Sequence, residues 1–212
     1  MEWVAVVQQL NRDLLAIEIA RSGLALQQRA IRAIPLIDQE SSLPVSKSEF
    51  KELGSASIIA EQVSAEALIG LVANSIETFS IRIHRHLSVE WEPFTKPRND
   101  LRFFGRPRQF RALNNVFKHQ EGFIEAASSR SARFLVDDGY FPDCTYLKHL
   151  PASSIVPEFE LAVFEAFAHL YEIALSVAGI PVRHSGKSGQ DLMQSLREFA
   201  VFPIIEPTLW RS

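Results

Sequence analysis

Apolar residues recur three and four positions apart over long stretches of this chain, and that period is the strongest constraint on its fold. Trp3, Val7, Leu10, Leu14 and Ile17 repeat at alternating steps of four and three; Arg21 takes the next place and Leu24 follows. On a helix of 3.6 residues per turn this spacing makes one narrow apolar seam, predicting a helix over about residues 2–33 that Pro35 stops. Ile69, Val72, Ile76, Phe79 and Ile83 repeat the seam in a second helix, about Ser55 to Leu87. Leu68 and Leu71 widen it, as a central helix requires. Residues 36–54, with Ser41, Ser42, Pro44, Ser46 and Gly54, read as a loop with room for one short helical turn.

The rest of the chain continues the pattern with one interruption. Residues 88–107 hold Pro93, Pro97 and Pro107 and read mostly as loop, with a third helix from near Pro107, a favourable first-turn residue, to about Gly122. "ARFLVDDGYF" combines an apolar run, an Asp-Asp-Gly turn signal and two aromatics, so residues 128–150 read as a short hairpin or extended excursion. A strong helix follows, capped by Ser154, with Pro157 in its first turn and Gly179 and Pro181 ending it. Phe159, Val163, Phe167 and Leu170, together with Leu161, Phe164 and Leu175, occupy most of its faces, which predicts burial. A final helix is expected at about Gly189 to Val201. The fold class is therefore all-α: an up-down bundle of about four to five long helices with an excursion around 130–145.

Length and composition narrow the classes. The 212 residues suit a single helical domain over 1–212, and 47% apolar with 22% charged residues is ordinary for a chain with a core. Cys144 is the only cysteine, so no intramolecular disulfide and no cysteine-rich metal site can form. The N-terminus lacks the basic and apolar regions of a signal peptide, and no window of about 18 uniformly apolar residues predicts a membrane span. The expectation is a cytoplasmic protein with no metal and no cofactor.

The stretch "RALNNVFKHQEG", residues 111–122, carries the functional signal. On a helical wheel Phe110, Leu113, Val116 and Phe117 fall in one arc; Arg111, Asn114, Asn115, Lys118 and His119 fall in the opposite one. Arg111, Asn115 and His119 stack at steps of four. Two adjacent asparagines disfavour a helix, so something other than helix stability selects them. Seven basic residues lie between Lys96 and Lys118, with Asp100 the only acid among them: Lys96, Arg98, Arg102, Arg106, Arg108, Arg111 and Lys118. Phe94, Phe103, Phe104 and Phe110 are interleaved. Positive charge with aromatic faces is what a single-stranded nucleic acid requires, which makes Arg102, Arg106, Arg108, Arg111 and Lys118 candidate nucleic-acid contacts. The competing readings are a solvated helix face for the charges and core packing for the phenylalanines.

"NNVFKH" resembles the signature of the HEPN superfamily, small helical bundles often found as RNases in toxin–antitoxin and antiviral defence systems. Their motif is an Arg, usually a polar residue such as Asn, a few further residues and a His. Here it aligns as Asn114, Asn115, three residues and His119, so Asn115 and His119 match and Asn114 stands in place of the Arg. Arg111 lies one turn earlier. The resemblance implies metal-independent endoribonuclease chemistry with His119, Asn115 and Asn114 at the catalytic positions. It also implies RNA as partner and a homodimer whose two motifs face one cleft. The alternative is a catalytically inactive helical protein, a subunit or neutralising partner bound to another protein.

Other motifs carry less. "SGKSG" at 185–189 lacks the first glycine and the preceding strand of a phosphate loop. His84 and His86, two apart on a helix, point to different faces and do not chelate together. His169 reads as a core or interface histidine, Glu90 and Glu92 as no catalytic pair, and Cys144 as inert. Glu77, on the second helix, is placed to orient a motif residue.

Overall fold

The computed structural model describes residues 2–32 and 47–179. Helix α1 (Glu2–Arg32) and helix α2 (Lys47–Leu87) form a long antiparallel pair, joined by Arg82, near the C-terminal end of α2, and Asp13 at 2.9 Å. Helix α3 (Gly105–Gln120) returns along α2, as the Arg111–Glu77 contact and the approach of Asn114 to Gly70 show. Helix α6 (Phe159–Val177) runs back beside α1, with Tyr171 hydrogen-bonded to Asn11 and Arg21 reaching Glu160 at 3.5 Å. The result is the up-down helical bundle that the periodicity predicts. The seam residues Leu10, Leu14, Ile17, Ile69, Val72, Ile76, Phe79 and Ile83 are all buried, and Phe79, Phe110, Phe164 and Phe167 fill the centre.

Three segments differ from the sequence reading. Residues 47–54, read as loop, belong to α2, because "KSEFKEL" is composed largely of helix formers that outweigh Gly54. The helix expected from Ser154 is broken in two. Helix α5 (Ala152–Ile155) is a single turn; Val156 is extended at φ −135 and ψ 92, and α6 starts only at Phe159. Pro157 is the reason, since its ring disfavours the helical conformation in the residue before it.

The third difference lies in the excursion. Strands β1 (Phe123–Ile124) and β2 (Thr145–Tyr146) pair antiparallel, but the apolar run between them is helix α4 (Arg130–Asp137). Ser129 caps α4 by accepting from the Ala132 N–H at 3.1 Å, and Gly139, at φ +74, ends it. A 3-10 turn, Leu147–His149, follows β2. The helix expected at 189–201 and the "SGKSG" turn lie outside the described residues.

Helix α2 also departs from the hydropathy expectation. Gly54–Leu87 has a mean hydropathy of 1.4 over its most apolar window and is long and apolar enough to cross a membrane by length and composition. Small residues such as Ala, Ser and Gly dilute its isoleucines without cancelling them. Glu61 and Glu66 stand within this stretch, and a carboxylate at mid-membrane is costly. The helix's inward residues from Leu68 to Ile83 serve the bundle core, while Ile59, Val63, Leu71 and Ile81 face outward and stay exposed.

Candidate nucleic-acid interface

The basic stretch from Lys96 to Lys118 begins in the loop between α2 and α3, and most of its charges are used to hold that loop down. Arg98 pairs with Asp100 at 2.7 Å and reaches Ser176 at 3.2 Å. The guanidinium beside it holds the Asp100 carboxyl down at about 2. Arg102 donates from Nε to Glu172 at 2.8 Å, and Arg106 pairs with Glu165 and with Gln109, the latter at 3.0 Å. Arg108 lies over the Phe134 ring at 4.4 Å and the Phe94 ring at 5.8 Å, a cation–π arrangement that uses both partners. Glutamates from α6, remote in sequence, thus neutralise arginines that look unopposed along the chain.

On α3 the motif residues part company. Arg111 is gripped by Glu92 and lies 3.5 Å from Glu77 of α2. Asn115 donates to the Ser131 hydroxyl at 3.0 Å, tying α3 to α4. Lys118 and His119, in the last turn, are exposed. The Lys118 charge also suits a helix C-terminus, where carbonyl dipoles favour cations.

Asn114 does not join this line. It is buried, at 5% exposure, and its Oδ1 lies 3.7 Å from the point where a Cβ on Gly70 would stand. The wheel put it in the polar arc, but the close approach of α2 at Gly70 closes over that edge of α3. The structure therefore brings Arg111, Asn115, Lys118 and His119 to one side and turns Asn114 toward α2. Arg102, Arg106 and Arg108 sit at the other end of the helix and in the loop before it.

An aromatic group absent from the sequence reading stands just beyond His119. Glu121 and Gly122 turn the chain back, both amides bonding to the Val116 carbonyl, and Phe123 opens β1 opposite Tyr146 of β2. The Phe123 and Tyr146 rings are 6.0 Å apart, and Tyr146 and His149 lie at 4.6 Å with 34° between their planes. Phe123 and Tyr146 are half-buried; His149 and Lys148 are exposed. Only the pairing of β1 with β2 brings these residues together, and two-residue strands leave no periodicity to detect.

The buried ionisable groups belong to the frame. His169 is buried against Trp91, with ring centroids 6.0 Å apart, and its Nδ1 donates to the Arg102 carbonyl at 2.6 Å. Burial holds its pKa below the ordinary histidine value. Among the described residues, no three His, Cys, Asp or Glu side chains converge where a metal ion would sit. A cavity of about 280 Å³ lies elsewhere, between α1, α2 and the start of α6, lined by Arg21, Leu24, Glu61, Leu68, Glu158 and Phe159 among others. No family model matches the chain, and no curated protein or solved structure matches it.

Proposed function

We propose that the chain is a HEPN-like helical bundle that acts on RNA through the last turns of α3. In this reading His119 is the acid–base group, Asn115 orients it or the phosphate, and Lys118 is the cation facing the phosphate. The supporting observation is the contrast along one helix: Arg111 and Asn115 are held by Glu77, Glu92 and Ser131, whereas Lys118 and His119 stand exposed. Residues fixed from neighbouring elements form a rigid base for two open side chains.

The chemistry such a pair supports is transesterification. The 2′-oxygen attacks the adjacent phosphorus as its proton leaves to a base, the P–O2′ bond forms, and the P–O5′ bond breaks as the leaving oxygen takes a proton. An imidazole serves at either proton-transfer step, and a cation stabilises the charge that builds on the phosphorane. With Arg111 engaged by two glutamates, Lys118 is the side chain that would supply this charge. A homodimer and a defence or toxin–antitoxin setting belong to the same proposal.

A second reading, a catalytically inactive interaction protein, is favoured by a different observation. Arg102, Arg106 and Arg111 are each engaged by carboxylates, and the place of the family's arginine is a buried asparagine. Binding to single-stranded RNA over a salt series separates the two. The RNA reading expects binding that weakens with salt; a chain that binds no RNA at any salt concentration refutes it.

A further inference from the structure

The geometry points to Phe123, Tyr146 and His149 as a stacking platform for the bases of a single-stranded RNA, with Lys148 and Lys118 meeting its phosphates. This rests on the RNA reading and names the part of the substrate that α3 alone does not explain. Three rings form a staircase from half-buried Phe123, through Tyr146, to exposed His149, at 6.0 and 4.6 Å. A cross-strand aromatic pair by itself would only stabilise the short ladder. His149 lies outside the ladder, in the turn after β2, so its ring extends the stack into solvent, where another planar ring can continue it.

The platform is tied to α2 and to the turn after α3, and its first ring, Phe123, follows His119 closely in the chain. Gln62 of α2 donates to the Lys148 carbonyl, and the Leu147 N–H bonds to the Gly122 carbonyl at 2.8 Å. The Lys148 stem packs on Gly122, where a Cβ would stand 3.3 Å from its Cγ. His119 and Phe123 are four residues apart, so their Cα atoms are separated by at most about 14 Å, within the span of a short oligonucleotide. Bases can reach such a platform only when unpaired, which selects single strands over duplex. Glu121 and Glu125 on the same connection are exposed and keep the local charge modest. Stacking therefore carries more of the binding than phosphate contacts do.

The test titrates the full chain into a single-stranded RNA carrying 2-aminopurine, whose fluorescence is quenched by stacking. The wild type quenches the probe, and two phosphate contacts give a salt slope of roughly −1 to −2. His149→Ala weakens binding about tenfold and removes the quench, and His149→Phe restores both. Tyr146→Leu acts in the same direction; should it fail to fold, the two His149 variants decide alone. Equal affinity and equal quench in His149→Ala overturn the platform while leaving the RNA reading in place, as does a salt slope near −5, which would assign binding to the arginines. A wild type that binds no single-stranded RNA overturns both.

Discussion

Glu172 on α6 accepts two hydrogen bonds from Arg102, one from its backbone N–H at 3.0 Å and one from its Nε at 2.8 Å. The Arg102 carbonyl meanwhile accepts from His169, one turn earlier on α6. Both backbone polar groups of a single loop residue are thus satisfied by one helix, and the loop that leads into α3 is clamped to the bundle. An arginine that sequence alone offers as a phosphate contact is a structural tie.

This tie predicts where Arg102 matters. Glu172 is buried at 3% exposure, so Glu172→Ala leaves the Arg102 N–H without that acceptor and its guanidinium without that counter-charge. Such a loss destabilises by about 1–2 kcal/mol, because the Arg102 side chain is itself 36% exposed and water screens its charge, and it is read as a lower denaturation midpoint. Arg102→Ala lowers the midpoint too but leaves the salt dependence of RNA binding unchanged. A reduced salt slope in Arg102→Ala would place this arginine in the interface instead.

His169 adds a dependence on pH. Burial is the largest cause of its lowered pKa, partly offset by the hydrogen bond to Arg102. In the unfolded chain a histidine titrates near 6.5, so just below that pH the unfolded state binds more protons than the folded one. Stability therefore falls as the pH drops below about 6.5 and levels off once the pH is under the folded value. Denaturant titrations between pH 7.5 and 5 show this fall in the wild type and a smaller one in His169→Gln; an identical fall in both would remove His169 as its source.

Gly122 is predicted to resist substitution. Its φ of +85 is a conformation L side chains rarely adopt, and an added Cβ would stand 3.3 Å from the Lys148 stem, closer than an ordinary contact, while meeting the Phe117 ring at an ordinary contact distance of 3.5 Å. Gly122→Ala is expected to destabilise by about 1–2 kcal/mol and to displace Lys148. A thermal midpoint equal to the wild type's would show that the turn relaxes freely.

The bundle was legible in the sequence because a helix buried on one side must repeat its apolar residues, as Leu10–Leu14–Ile17 and Val72–Ile76–Phe79–Ile83 do. The excursion was less so. Asp138–Gly139 resembles a hairpin turn but serves as the stop of α4, and the distinguishing signal was Ser129, a helix cap placed just before the apolar run. The site was half legible. Local spacing placed the candidate residues Asn115, Lys118 and His119 on one helix, which is α3. It could not show that Glu165 and Glu172, some 60 to 70 residues away, consume Arg106 and Arg102. Nor could it show that Gly70 admits α2 closely enough to bury Asn114. Those are tertiary facts with no local trace.

The outward face of α2 offers a place for the proposed second copy. Exposed residues from Gly54 to Ile81 include Ile59, Val63, Ala67, Leu71 and Ile81, and Glu66 is the only charge among those described. A homodimer held there loses mass on Leu71→Glu, since a charge at an apolar contact is costly while Leu71, exposed at 42%, is not needed for folding. Light scattering should give a dimer for the wild type and a monomer for the variant. The same mass for both would place any dimer contact elsewhere.

The central claim is that His119 acts on RNA, and its most direct measurement is cleavage of a labelled single-stranded RNA, without added metal, by the purified chain and by His119→Ala. The variant should retain the wild type's thermal midpoint, because His119 is exposed. The account predicts cleavage by the wild type and a loss of at least about a hundredfold in the variant. Equal cleavage by both proteins, or none by either, would contradict it.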